Sequence, residues 1–180
     1  MLQSKVVHLN EESSDVINSQ LQASTSQVIH IESHSKLITA IIETYAPRFL
    51  QSSALVYVCA NSNKSAFHDD ILIKDLNIST EEPNKLPDVI FYLSEKNWLV
   101  LVDSITGQGS IDKQRHKELA DLFNDAKAGI VYVTAFPDCA NMAKHSFDID
   151  WETDVWIADC PEHMIHFNGL RFLGPYTINA

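Results

Sequence analysis

Two aspartates carry the chemistry that this sequence offers. Pro87-Asp88 opens one β-rich run, DVIFYL, and Asp103 lies near the end of a second, WLVLVDSI. The polar segment Ser94-Glu95-Lys96-Asn97 stands between them, so the two runs predict a hairpin. A tight hairpin of this length returns the end of its second strand to the start of its first. Two carboxylates would then meet at one end of a sheet. Such a pair suits a hard divalent ion such as Mg²⁺, with Mn²⁺ as a substitute, which tolerates waters and substrate phosphates as further ligands. The ion could activate water and neutralise charge on a phosphodiester. The same residues also have a purely structural reading, with Asp88 capping a turn after proline and Asp103 ending a strand. Spacing alone favours the structural reading.

The elements that must position these residues are legible from periodicity. Leu37, Ile38, Ile41, Ile42 and Tyr45 recur at helical spacing, which predicts an amphipathic helix over SKLITAIIETYA. Ser35 is its expected N-cap and Pro47 its expected end. ALVYVCA reads as a buried strand. In DKQRHKELADLFNDA, Leu119, Leu122 and Phe123 form one apolar face and Asp112 can cap the start. IVYVTAF, VWIAD and HMIHF supply further strands. The order helix, strand, hairpin, helix, strand predicts an α/β fold, a mixed central β-sheet flanked by helices on both faces. Residues 1–30 are rich in Ser, Gln and Asn and read as a polar, weakly ordered N-terminal arm before a domain over 31–180.

Composition narrows the function classes. The 180 residues contain 13 Lys and Arg against 24 Asp and Glu, a formal charge of −11. A strongly basic, autonomous nucleic-acid binder is disfavoured, although a local basic cleft or a charged partner subunit remains open. No run reaches the roughly 20 apolar residues of a membrane span, and no secretory signal is evident. The expectation is a cytoplasmic protein without a membrane role, its three cysteines reduced. None of the five glycines fits a phosphate-binding GxxxxGK[ST] loop, so no nucleotide cofactor is expected. Cys160, His163 and His166 have a zinc-like spacing but no fourth ligand nearby, and strand alternation would part the two histidines. Trp98 and Trp156 read as mostly packed. No Ser/His/Asp order stands out, and Cys139 has no evident base.

The lettering adds to this. HSKLITAIIETYAPRF, KLPDVIFYLSEKNWLVLVDSITGQG, KAGIVYVTAFPD and WETDVWIADCPEHMIHFNGLRFLGPY together resemble the catalytic domain of the BsuBI/PstI-type restriction endonucleases, within the PD-(D/E)XK nuclease superfamily. The resemblance runs from about Glu32 to Tyr176 and is most specific in its last block. It implies a restriction-endonuclease-like core and a Mg²⁺-dependent DNA endonuclease, with Asp88 and Asp103 as metal ligands. Asp88 matches the aspartate of the PD motif. Asp103 falls where the family has glutamate, and Ile105 at the superfamily's lysine position, where this family also tends to be apolar. Lys113, Arg115 and Glu118 match a basic-and-acidic segment of the family, and Lys64 falls at a lysine position. All four become candidate catalytic residues.

The chain departs from the pattern at Lys36, where the family resembles HSEL, and at Cys59-Ala60-Asn61, where Gly-Asp-Thr is frequent. It departs again at Gly107-Gln108-Gly109-Ser110, in place of Ser-His-Gly-Pro. Full-length relatives also carry an N-terminal DNA-reading domain, which this chain is expected to lack. The departures motivate an alternative: an inactive nuclease fold acting as a binding or regulatory module through a protein partner, such as an immunity or toxin–antidote component. Homodimerisation is expected only by analogy with palindrome-cutting relatives.

Overall fold

The structure, a computed structural model, describes residues 32–61, 64–106 and 111–169. The arm expected over 1–30 and the Gly107–Ser110 segment lie outside the described residues. In chain order the elements are α1 (Glu32–Ala40), a π turn (Ile41–Tyr45), α2 (Ala46–Phe49), β1 (Ala54–Asn61), β2 (Lys64–His68) and α3 (Asp70–Asp75). A 3₁₀ turn (Pro83–Lys85), β3 (Val89–Leu93), β4 (Trp98–Ser104) and α4 (Lys113–Leu122) follow. The last elements are β5 (Gly129–Phe136), α5 (Cys139–His145), β6 (Thr153–Ile157) and β7 (Met164–Phe167).

Seven strands form one mixed sheet in the order β2-β1-β3-β4-β5-β6-β7. The strands β4, β5 and β6 run parallel, while every other pairing is antiparallel. Strand alternation sends the apolar residues of β4 to two cores. Val100 and Val102 pack with Leu37, Ile38, Ile41, Tyr45 and Trp156 under α1 and its π turn. Leu99 and Leu101 pack on the opposite face with Leu119 and Phe123 from α4 and its end. Helices therefore cover both faces, as the apolar β-runs predict. Trp156 is fully buried and Trp98 partly buried, whereas Trp151 is 66% exposed.

The first helix departs from expectation at both ends. Ser35 lies inside α1 rather than capping it, and the chain continues helically past Pro47 to Phe49. A proline ring collides with the carbonyl four residues back and cannot donate a hydrogen bond. Here the π turn widens the helix just before Pro47, with the Ala46 N–H bonding to the Ile41 carbonyl. That insertion absorbs the mismatch and lets one more turn form.

The hairpin holds its predicted register. Asn97 adopts a left-handed backbone (φ 53°) that closes the turn, and it accepts a hydrogen bond from the Tyr92 hydroxyl at 3.0 Å. Pairing then runs from Leu93 opposite Trp98 to Val89 opposite Val102. The next rung beyond Val89 and Val102 is Asp88 and Asp103. Asp112 caps α4 by accepting from the Arg115 backbone N–H at 2.8 Å.

Candidate active site at the sheet rim

The site is built where β3 begins, β4 ends and α4 starts. Val102 belongs to the core under α1, so alternation turns Asp103 toward α4. Asp103 is only 8% exposed there. Arg115, three residues into α4, reaches it with a forked pair of bonds. Nε donates to Oδ2 at 2.7 Å and Nη2 to Oδ1 at 3.1 Å. The same guanidinium donates to the carbonyl oxygens of Lys85 (3.0 Å) and Leu86 (3.2 Å). Arg115 thus ties the segment before β3 to the end of β4 and the start of α4.

Asp88 sits beside this pair. Its Oδ2 accepts from the Ser104 backbone N–H and the Ser104 hydroxyl, both at 2.7 Å. Its own backbone N–H donates toward the Asp103 carboxylate. Glu118, one turn along α4, brings Oε2 to 3.9 Å from Arg115 Nη1 and accepts from Gln114 at 3.0 Å. Three carboxylates thus surround one guanidinium. Burial pushes the Asp103 carboxyl above its usual range, and the charge of Asp88 adds to this against the pull of Arg115. Burial opposes the charge on Arg115, but its bonds to Asp103 prevail and hold the guanidinium above its usual range. Burial therefore dominates at Asp103, whereas the surrounding carboxylates together dominate at Arg115.

Sequence reasoning misses two neighbours. The Tyr57 hydroxyl is hydrogen-bonded with the Cys59 thiol and lies near Asp88; burial first, then these partners, push it up to about 12. Strict alternation from Leu55 would turn Tyr57 toward α1. A β-bulge intervenes, with Leu55 opposite Phe91 but Tyr57 opposite Ile90. The extra residue, Val56, leaves Tyr57 and Val56 in the same core, on the α4 side. Cys59, two residues on, shares that face. The one available signal was the i, i+2 spacing of Tyr57 and Cys59, which shows a shared face but not which one.

The remaining sequence candidates are less tightly drawn in. Lys113 is the first residue of α4 and is exposed. Lys64 opens β2, the strand beyond β1 at one end of the sheet, and its side chain lies outside the described residues. His166 Nδ1 pairs with Asp154 Oδ1 at 2.7 Å. Among the described residues, no group of three or more His, Cys, Asp or Glu side chains is arranged to hold a metal ion. No helix among them is long and apolar enough to cross a membrane.

Comparison with known proteins agrees with this architecture. Residues 17–170 match the family described as the BsuBI/PstI restriction endonuclease domain. The chain is 50% identical over 143 residues to the type II restriction enzyme BsuBI of Bacillus subtilis, a match covering 79% of this chain and 45% of that enzyme. It is 31% identical over 112 residues to the type II restriction enzyme AplI of Arthrospira platensis, covering 61% of this chain and 35% of that enzyme. The solved structure of the SdaI restriction endonuclease superposes with a TM-score of 0.71 at 32% identity, over 81% of this chain and 46% of that one. The chain therefore spans less than half the length of the curated relatives it matches. With its restriction-endonuclease-like fold and a family match over most of its length, the chain belongs to the BsuBI/PstI restriction endonuclease family.

Proposed function

We propose that this chain is a phosphodiester-cleaving DNA endonuclease domain that works with Mg²⁺ or Mn²⁺. The observation that carries the reading is the placement of Asp88, immediately before β3, beside Asp103 near the end of β4, with the Asp88 backbone N–H directed at the Asp103 carboxylate. Their donor chemistry fits a hard divalent ion, which binds through one or two carboxylates and completes its shell with water and phosphate oxygens. Asp103 already accepts two bonds from Arg115, but a carboxylate offers about four lone-pair directions. The excess of acid in the site also leaves room for a second cation.

When bound, the ion would supply activated water and neutralise charge developing on the phosphodiester. The chain's own residues prepare the place. Ser104 holds one oxygen of Asp88 with two hydrogen bonds, which fixes the orientation of the carboxylate. Arg115 fixes the plane of the Asp103 carboxylate and anchors it to the Lys85–Leu86 backbone. Lys113, exposed at the start of α4, is the proposed contact to the phosphate backbone, and Glu118 tempers the charge of Arg115. Such positioning matters because errors near 1 Å in reacting geometry are costly.

One observation favours a second reading. Arg115 occupies both oxygens of Asp103, as an internal cation would in a nuclease fold kept for binding. The net charge of −11 suits a basic protein partner. Nicking of supercoiled plasmid with Mg²⁺ or Mn²⁺, by wild type and Asp88→Ala, separates the two. The nuclease reading expects nicking by wild type that Asp88→Ala loses. Equal inertness of both proteins across salt and metal conditions would sink it in favour of the binding module. Titration calorimetry with Mg²⁺, lost in Asp103→Ala, reads the ion site without relying on turnover.

A further inference from the structure

The parallel register of β5 and β6 produces a second chemical feature at the same end of the sheet as Asp103 but on the neighbouring strands. Phe136 pairs with Ile157 at the end of the two strands. From that rung each strand runs three residues to a cysteine, Cys139 at the start of α5 and Cys160 in the turn before β7. Equal offsets from one rung bring the two side chains together, with Sγ atoms 4.0 Å apart. The connections are themselves tied, Ala158 N–H to the Phe136 carbonyl at 2.9 Å and Asp159 N–H to the Pro137 carbonyl at 3.2 Å. The Trp156 indole N–H donates to the Pro161 carbonyl at 3.3 Å and holds the turn from its other side. Both cysteines are exposed to solvent. They are neighbours because the sheet places them so.

We propose that Cys139 and Cys160 form an oxidant-sensitive dithiol site, closed to an intramolecular disulfide by peroxide. A disulfide needs its sulfurs about 2.05 Å apart, so closure requires a relative shift of about 2 Å, within reach of χ1 rotation at a turn and a helix start. One thiolate attacks a peroxide oxygen, the O–O bond breaks, and the sulfur becomes a sulfenic acid as hydroxide leaves. The second thiolate then attacks that sulfur, the S–S bond forms, and the sulfenic oxygen departs as water after protonation. The two thiols lose two electrons and one peroxide is reduced to two waters. Hydrogen bonding with Cys139, reinforced by the nearby charges of Asp159 and Glu162, holds the Cys160 thiol above its usual range. The reaction should therefore accelerate as pH rises. Cys59 stays outside it, engaged with Tyr57 at the other site.

The bond would clamp the start of α5 to the β6–β7 turn. The test treats the full chain with hydrogen peroxide, then alkylates free thiols and maps peptides by mass spectrometry. The expected result is a Cys139–Cys160 cross-link and a fall from three titratable thiols to one. The melting temperature should rise by several degrees, as for closing a loop of about 20 residues, and dithiothreitol should reverse it. Cys139→Ser and Cys160→Ala should keep their melting temperature under oxidant. Three thiols surviving peroxide, a bridge through Cys59, or a bridge between two copies would each overturn the proposal.

Discussion

Arg115 grips Asp103 with two hydrogen bonds and, with the same guanidinium, two backbone carbonyls from the segment that leads into β3. This one side chain joins three parts of the chain that are distant in sequence. It also places a fixed positive charge on one of the two acids proposed to hold a divalent ion. Whether the site is a working centre or a binding surface, removing Arg115 should disturb it most.

Arg115→Ala leaves a buried carboxylate without its partner, and such losses cost about 3 kcal/mol. The pH dependence follows from charge. Without the guanidinium, Asp103 moves further up in pKa and takes a proton more readily, which relieves the buried charge. The destabilisation should therefore be larger at pH 8 than at pH 5. Urea denaturation of both proteins at the two pH values checks this; an equal loss would mean that packing, not charge, dominates.

Ser104→Ala removes one of the two bonds to Asp88 Oδ2 and leaves the backbone bond in place. Loss of a hydrogen bond to a charged acceptor costs about 1.5 kcal/mol. Plasmid nicking should weaken but survive, while Asp88→Ala should lower it by at least about 100-fold, the scale of a lost metal ligand. Rates for the three proteins at saturating Mn²⁺ provide the ordering.

Leu119→Ala tests whether the site depends on how α4 docks. Leu119 is fully buried against the sheet, one turn beyond Arg115. Truncation should cost about 3 kcal/mol through lost burial and a residual cavity. Nicking should also fall, because α4 carries Arg115, Lys113 and Glu118. A variant with lowered stability and unchanged nicking at low temperature would detach the helix from the chemistry.

Asp138 caps α5, accepting from the Asn141 backbone N–H and its side-chain amide, both at 2.7 Å. These bonds hold its carboxyl below the usual range. A depressed acid stabilises the fold above its unfolded pKa, near 4, and loses that effect as pH falls through its folded value. Asp138→Ala should lower the melting temperature by about 2–4 °C at pH 7. The difference should shrink below pH 4, which differential scanning calorimetry can follow.

Much of the architecture was legible in the residues. The hairpin was, because SEKN between two β-branched runs is a short-range signal, and so was α4, with its apolar stripe and Asp112 cap. The short elements were not. KSAFH in β2 shows no clear alternation, and α3 and α5 have six and seven residues, too few for periodicity to register. Their caps, Asp69 and Asp138, were the readable clues. The end of the first helix was misread because Pro47 normally stops a helix, and a π turn that absorbs it leaves no mark in the letters.

The sequence by itself determined that Asp88 and Asp103 would stand at the same end of the hairpin, since its register is set across a four-residue turn and needs no distant contact. Only the tertiary structure decided what surrounds them. Arg115 reaches Asp103 through the docking of α4 on the sheet, Tyr57 turns toward the site through one bulge, and Cys139 meets Cys160 through the register of parallel strands. Each of those contacts depends on non-local packing, where a shift of one residue reverses the face a side chain presents.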